Sequence, residues 1–444
     1  MREFDLTAEQ SRAVDWVFDF VEGPEKTALL EGPAGSGKTT VLSEVIAGMG
    51  SAVKATAPTH KAARVLGESF DRKWLTSTIH SALGLKKNID EAQVRFLSGG
   101  ERPRWWGSER VLLFVVDEAS MIGEVLWNLT QRVCLETPTK VLFVGDECQS
   151  PPVVPGTRIQ APSRVFTDVP QRMSLEMVMR HGSGIQEFAN RIRKNIHAGV
   201  ERWDYEQIPG AVEIVRTREE FNERFLDATR RLDREARAVA WKNSEVDTLN
   251  KMVRKAVVGE ERANNEKFIA GEIVTVAGNP VMESVGGRNR IHMYVEDEAV
   301  VIQHDIVSER RLDFKYAPNG EFQYHRLVLE NITNPNGNRF VAKVPTEHSR
   351  DVLKMWVIEK EKAALRAKTA AKWQEYHKAN EYMDDIRHNQ AMTVHKSQGS
   401  SYTEMYIDVT QFMENDDPLT AMKLFYVGVT RARKLAVVYF GEGW

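Results

Sequence analysis

The chain is poor in the features that would mark a secreted, membrane-spanning or polyanion-coating protein. Only two cysteines, Cys134 and Cys148, occur in 444 residues, which excludes a disulfide framework or a cysteine-built zinc site and suits a reducing compartment. No apolar run reaches the length of a membrane span. The charged opening Met1-Arg2-Glu3-Phe4-Asp5 does not read as a signal peptide, so a cytoplasmic protein without a membrane partner is expected. Net charge is −3, too near zero for a surface that coats nucleic acid everywhere, though compatible with a local basic groove. Internal repeats, low-complexity tracts and a disordered tail are absent from the pattern. The length exceeds what one core supports, so two or more domains are expected.

What is present begins with the run Leu29-Leu30-Glu31-Gly32-Pro33-Ala34-Gly35-Ser36-Gly37-Lys38-Thr39-Thr40. It follows an apolar strand and fits G-x-x-x-x-G-K-[ST], a loop that binds nucleotide triphosphates. Gly32, Gly35 and Gly37 let the backbone turn tightly and aim N–H groups at phosphate oxygens. Ser36 and Thr40 lie on the same loop. Lys38 supplies a cation for the terminal phosphates and Thr39 a hydroxyl for Mg²⁺, while the following helix adds its positive dipole end. The pattern points to a protein that binds and hydrolyses ATP.

Two further strands fit one parallel sheet. Val111–Val116 is a continuous apolar run of the kind buried on both faces, and it ends in Asp117-Glu118. Ligands bind at the carboxyl ends of such strands. Asp117 is placed to hold Mg²⁺ and Glu118 to polarise an attacking water. The strand Lys140–Val144 ends in Gly145-Asp146-Glu147-Cys148-Gln149-Ser150-Pro151-Pro152, where Gln149 can sense a γ-phosphate. Read alone, each of these ends is also compatible with a plain polar turn.

These runs resemble the superfamily 1 helicases, and other segments fill that family's motif order. Gln10, within Leu6-Thr7-Ala8-Glu9-Gln10, is similar to the adenine-reading Q motif. Ala57-Pro58-Thr59-His60-Lys61-Ala62-Ala63 resembles motif Ia, and Ser77-Thr78-Ile79-His80-Ser81-Ala82-Leu83 resembles motif Ib. Ala391–Gly399 resembles motif V and Phe425–Arg433 motif VI. The combination resembles the 5′→3′ branch, superfamily 1B. The likeness runs from Gln10 to Arg433 and is thin across Gly259–Asn389.

The resemblance implies a DNA-dependent ATPase and helicase that uses ATP and Mg²⁺, of a kind at home in replication or recombination in a bacterial or phage-infected cytoplasm. Lys38, Glu118, Gln149, Arg180 and Arg431 are then catalytic, the two arginines completing the site from a second domain. Gln10, the loop Gly35–Thr40 and Asp117 bind the nucleotide. Pro58, Thr59, His60, Thr78, His80, Asn243, Thr393, His395 and Ser397 line the single strand. Arg433 flanks motif VI with a less defined role. Two departures stand out. Motif III of the family reads Gly-Asp-x-x-Gln-Leu-Pro-Pro, whereas Cys148 precedes and Ser150 follows Gln149 here, which alters local packing. Gly182 after Arg180-His181 is the second.

The layout expected is α/β, with two RecA-like domains: 1–83 with 110–172, and 173–258 with 390–444. The insertion 84–109 reads as a pin hairpin with Gly99-Gly100 at its tip. Phe96 would there stack on a base, or else join Trp105 and Trp106 in a small satellite core. The insertion 259–389 reads as an SH3-like barrel followed by a charged helical stretch, Arg350–Asp385, broken once. Partners expected are single-stranded and forked or tailed DNA, with a single-strand-binding or replication protein as a further candidate. An RNA helicase with the same motifs, and a DNA-stimulated ATPase that remodels bound proteins, stand as alternatives.

Overall fold

The computed structural model describes residues 6–69, 76–85, 105, 110–152, 162–178, 183–278, 280–285, 288–310, 321–333 and 339–442. Two compact units emerge. One joins Met1–Leu249 with Gln390–Trp444, and the other is Asn250–Asn389.

The first unit contains two parallel sheets. The first sheet has six strands: β1 (Thr27–Glu31), β2 (Val53–Ala57), β3 (Thr76–Thr78), β4 (Leu113–Val116), β5 (Lys140–Gly145) and β6 (Gln171–Ser174), in the order β3-β2-β4-β5-β1-β6. Its central strands are apolar because both faces are covered, as a sheet crossed by helices requires. Leu30, Leu142, Leu113 and Val115 pack on one face with Val17, Val41 and Val45, while Leu29, Phe143, Phe114 and Val116 pack on the other with Trp127 and Val133. β5 lies between β1 and β4, so the carboxyl ends that carry the phosphate loop, Asp117-Glu118 and Gln149 are neighbours. β6 ends at Ser174, two residues past the expected boundary at 172, because its Met173 joins the core under β1.

The second sheet has five parallel strands, in the order Ala391–Thr393, Ala236–Ala240, Tyr402–Asp408, Ala432–Tyr439, Val212–Val215. The helices Ser183–His197 and Pro418–Val429 cover it around Phe425, which packs against Phe188, Trp203, Tyr205 and Phe440. The helix Ala8–Glu22 is fixed at its far end by Lys140, whose ammonium donates to the carbonyl of Phe20 at 2.7 Å and to that of Gly23. A cation at a helix carboxyl end is favoured by the unpaired carbonyls there.

The second unit is antiparallel. Its five-stranded sheet runs in the order Arg339–Pro345, Glu321–Asn331, Glu298–Arg310, Ile273–Val276, Ile386–His388, beside the hairpin Val281–Val285 and Arg288–Met293. The expected strands near 298, 325 and 339 are all present. The helical stretch is two helices, Glu347–Ala367 and Ala370–Asn380. They separate at Lys368, which takes φ 52°, and Thr369 caps the second helix. Among the described residues no helix is long and apolar enough to cross a membrane.

Candidate functional site: a nucleotide cleft between two RecA-like domains

The site starts at the helix Ala8–Glu22. Thr7 is its N-cap and shares a capping box with Gln10: the Thr7 N–H donates to Gln10 Oε1 at 3.0 Å, and the Gln10 N–H donates to Thr7 Oγ1 at 3.2 Å. The amide of Gln10 is thereby oriented, with its nitrogen end against the phosphate loop. A Cβ built on Gly37 would stand 2.0 Å from Gln10 Nε2. Gly37 and Gly35 also take φ of 88° and 84°, the left-handed region that glycine enters at little cost. Both observations favour glycine at position 37.

Lys38 opens the helix Lys38–Met49, and its ammonium donates to the carbonyls of Gly32 at 2.7 Å and Pro33 at 3.0 Å. Burial pulls its pKa below the ordinary lysine range, while Asp146, Glu118 and Asp117 pull the other way. Asp117 and Glu118 leave β4 in sequence. The Asp117 N–H donates to the carbonyl of Thr56, and Asp117 Oδ1 accepts the Glu118 N–H at 2.9 Å. Glu118 takes φ 52° and ψ 50°. A non-glycine residue in that conformation is uncommon and strained, and such strain gathers at functional positions. Gly145 beside it leaves room: a Cβ there would lie 3.0 Å from Ala119.

Gln149 is only 4% exposed, and its Oε1 has no hydrogen-bond partner among the described residues. The same holds for the buried Ser36 hydroxyl on the phosphate loop. Buried polar atoms are normally paired; of these two, Gln149 lines the cavity and can offer its Oε1 to a ligand there. Cys148, the departure noted in motif III, is buried against the second domain's core, with Sγ 3.4 Å from His197 Nε2. Burial, with Asp146 adding to it, pushes its thiol up to about 12, so it stays protonated.

A cavity of ≈ 350 Å³ opens over these groups. Gln10, the loop Gly35–Thr40 without Ser36, Asp117, Glu118 and Gln149 line one side, and Gly399 and Arg431 of the second domain line the other. Arg431 is 2% exposed. Its guanidinium donates to the carbonyls of Val427 at 3.2 Å and Ser400 at 3.4 Å, and to Thr430 Oγ1 at 3.2 Å. Arg433 is at the surface, paired with Glu235 and Thr403. Arg180 and Phe96 lie outside the described residues. The donor set fits a nucleotide with Mg²⁺: a glycine cradle, a lysine, a hydroxyl in Thr39 and a carboxylate in Asp117.

The residues assigned to a nucleic-acid strand gather elsewhere. Pro58, Thr59 and His60 follow β2, Thr78 ends β3, Asn243 follows the strand Ala236–Ala240, and Thr393 ends Ala391–Thr393. These four strands form one edge of each sheet. Side chains there differ in what they offer. The Thr78 hydroxyl is an N-cap, accepting the Ser81 N–H at 3.2 Å, and Thr59 Oγ1 likewise accepts the Ala62 N–H at 3.1 Å. The Ser397 hydroxyl donates to the Val394 carbonyl at 2.6 Å. His80 and Asn243 are exposed. Burial drives the His395 imidazole down to about 4, and its Nε2 has no partner among the described residues, so the ring is neutral near pH 7. Trp105 belongs to the core: it stacks on Phe114 at 4.9 Å and donates to the Ala82 carbonyl at 2.7 Å.

A glycine-rich phosphate loop, an acidic pair at a strand end, a buried glutamine and an arginine across the cavity are arranged as in a P-loop motor of the helicase type. Residues 5–215 match the AAA domain family and residues 388–439 the UvrD-like helicase C-terminal domain. Over 97% of its length the chain is 25% identical to the ATP-dependent DNA helicase Dda of Enterobacteria phage T4, 98% of which is covered. The fold is shared with the Pif1 helicase from Candida albicans, at a TM-score of 0.51 and 17% identity over 98% of this chain and 94% of that one. Bacteroides Pif1 bound to ssDNA gives a TM-score of 0.50 at 17% identity, over 98% and 92%. Together these matches support a superfamily 1B helicase.

Sequence reasoning missed Tyr426, Asp146 and Arg193, which meet at a buried contact behind the phosphate loop, although the first two lie inside the motif VI and motif III runs.

Proposed function

We propose that this ATP-dependent DNA helicase travels 5′→3′ on single-stranded DNA and parts the duplex ahead of it. The observation that carries this reading is the cavity walled by the phosphate loop, Asp117, Glu118 and Gln149 on one side and by Arg431 on the other. Such a site works only when both domains contribute, so nucleotide binding and domain closure are linked. The named activity of the phage T4 relative and the ssDNA bound by Bacteroides Pif1 support the choice of substrate.

Lys38 would exchange the carbonyls of Gly32 and Pro33 for phosphate oxygens. Gln10 orients the adenine. Thr39 and Asp117 would hold Mg²⁺, which supplies charge neutralisation at the phosphates. Glu118 polarises the attacking water and Gln149 senses the terminal phosphate. Arg431, with Arg180 as its expected companion, stabilises charge on the transferred group, an effect worth about 10³–10⁵ in rate in comparable NTPases. Strand contacts at the edges of the two sheets, through His60, His80, Asn243 and the backbone at Thr78 and Thr393, then alternate in grip as the cleft opens and closes. Phe96 would split the duplex by stacking on a base, with a single-strand-binding protein as the natural companion of the separated strands.

The test compares ATP-dependent unwinding of two duplexes at one salt concentration, one with a 5′ single-stranded tail and one with a 3′ tail. Opening of the 5′-tailed duplex alone is expected. Opening of the 3′-tailed one alone would reverse the polarity, and DNA-stimulated ATP hydrolysis with neither duplex opened would favour protein remodelling.

A further inference from the structure

Tyr426 lies on the helix Pro418–Val429, next to Phe425, whose ring belongs to the second domain's own aromatic core. Successive helix positions are turned by about 100°; Tyr426 is buried in the same cluster as Phe425 and Cys148, and its hydroxyl reaches the first domain. Its side chain is 1% exposed. The hydroxyl donates to Asp146 Oδ2 at 2.8 Å and accepts the backbone N–H of Ala34 at 3.3 Å. A single oxygen from the second domain therefore touches the phosphate loop and the end of β5 together.

Asp146 is fully buried. Its Oδ1 accepts the Cys148 N–H at 3.1 Å, and Arg193 from the helix Ser183–His197 approaches the same oxygen at 3.9 Å. Its carbonyl accepts the Gln149 N–H at 3.1 Å, so any shift of Asp146 shifts the turn that presents Gln149. Ala34 is joined to Pro33, whose carbonyl holds the Lys38 ammonium. Both ends of the Tyr426 contact thus lead, within a few residues, to groups that would meet the terminal phosphate.

We propose that Tyr426 is a positioning residue that couples the seating of the second RecA-like domain to the phosphate loop and to Gln149. This rests on the helicase reading above. A hydroxyl suits the task because it donates and accepts at once. Burial, together with the charge of Asp146, holds the phenol well above its ordinary pKa, so it remains a donor. When the domains separate, the carboxylate and the Ala34 N–H lose this partner together, and closure restores both.

The experiment uses the full chain and a double-mutant cycle: the parent, Tyr426→Phe, Asp146→Ala and the double variant. Steady-state ATPase with saturating ssDNA is measured beside DNA-free nucleotide affinity and melting temperature. Tyr426→Phe is expected to lower kcat about tenfold while nucleotide affinity moves less than about threefold. The double variant should be no slower than the slower single, since both sever one contact. Losses that multiply, or a kcat for Tyr426→Phe within about twofold of the parent, would overturn the proposal. Hydrogen exchange at the Ala34 amide of the parent chain is a second readout that needs no variant: slow exchange supports the contact and free exchange contradicts it. Lys38→Ala serves as the control. If it leaves ssDNA-stimulated turnover intact, the helicase reading itself falls; if it abolishes turnover while Tyr426→Phe matches the parent, only the coupling role falls.

Discussion

The two walls of the nucleotide cleft are made in different ways. The first domain's wall is a matter of backbone: Gly35 and Gly37 at positive φ, Glu118 held left-handed, and the carbonyls of Gly32 and Pro33 keeping Lys38 in place. Its strain is borne inside one domain, and Gln149 Oε1 on it is unmatched among the described residues. The second domain's wall is one side chain. Arg431 rests on Val427, Thr430 and Ser400 of its own domain. On the proposed reading, recognition is prebuilt on one side and charge stabilisation comes from the other, so hydrolysis would answer to how the domains are seated.

That contrast can be broken by substitution. Arg431→Ala should cost the most, lowering kcat by about 10³-fold or more with little change in nucleotide affinity; single-turnover ATP hydrolysis with ssDNA measures it. A loss confined to affinity would show that the second wall binds rather than catalyses. Gly37→Ala should act on the other wall and more gently. Its methyl group would press on Gln10, and its backbone would be strained at φ 88°, so the apparent KM for ATP should rise about tenfold. Unchanged KM would mean that the loop relaxes around the added carbon.

One wall is far easier to read from the sequence than the other. Glycine spacing, the apolar strands and the acids at a strand end are local signals, and the sheets that carry them formed as expected. The capping box from Thr7 to Gln10 is written in the same way. What no pattern revealed depends on partners distant in the chain. Tyr426 and Asp146 are 280 positions apart, and neither residue type at its place signals the other. Thr78 and Ser397 lie inside recognisable motifs, yet their hydroxyls are committed to nearby backbone groups. Trp105, one of three aromatics considered for the pin, is drawn into the core by stacking on Phe114. Arg433 repeats the chemistry of Arg431 two residues on, but the strand that begins at Ala432 turns it to the surface.

The most direct test of this cleft is steady-state ATP hydrolysis by the full chain and by Lys38→Ala, each with and without single-stranded DNA. Turnover should rise with DNA in the parent and be lost in the variant, which should still retain affinity for the strand because the residues proposed to bind it lie at the sheet edges. Turnover in Lys38→Ala equal to that of the parent would contradict the assignment of this cleft as the site of ATP hydrolysis.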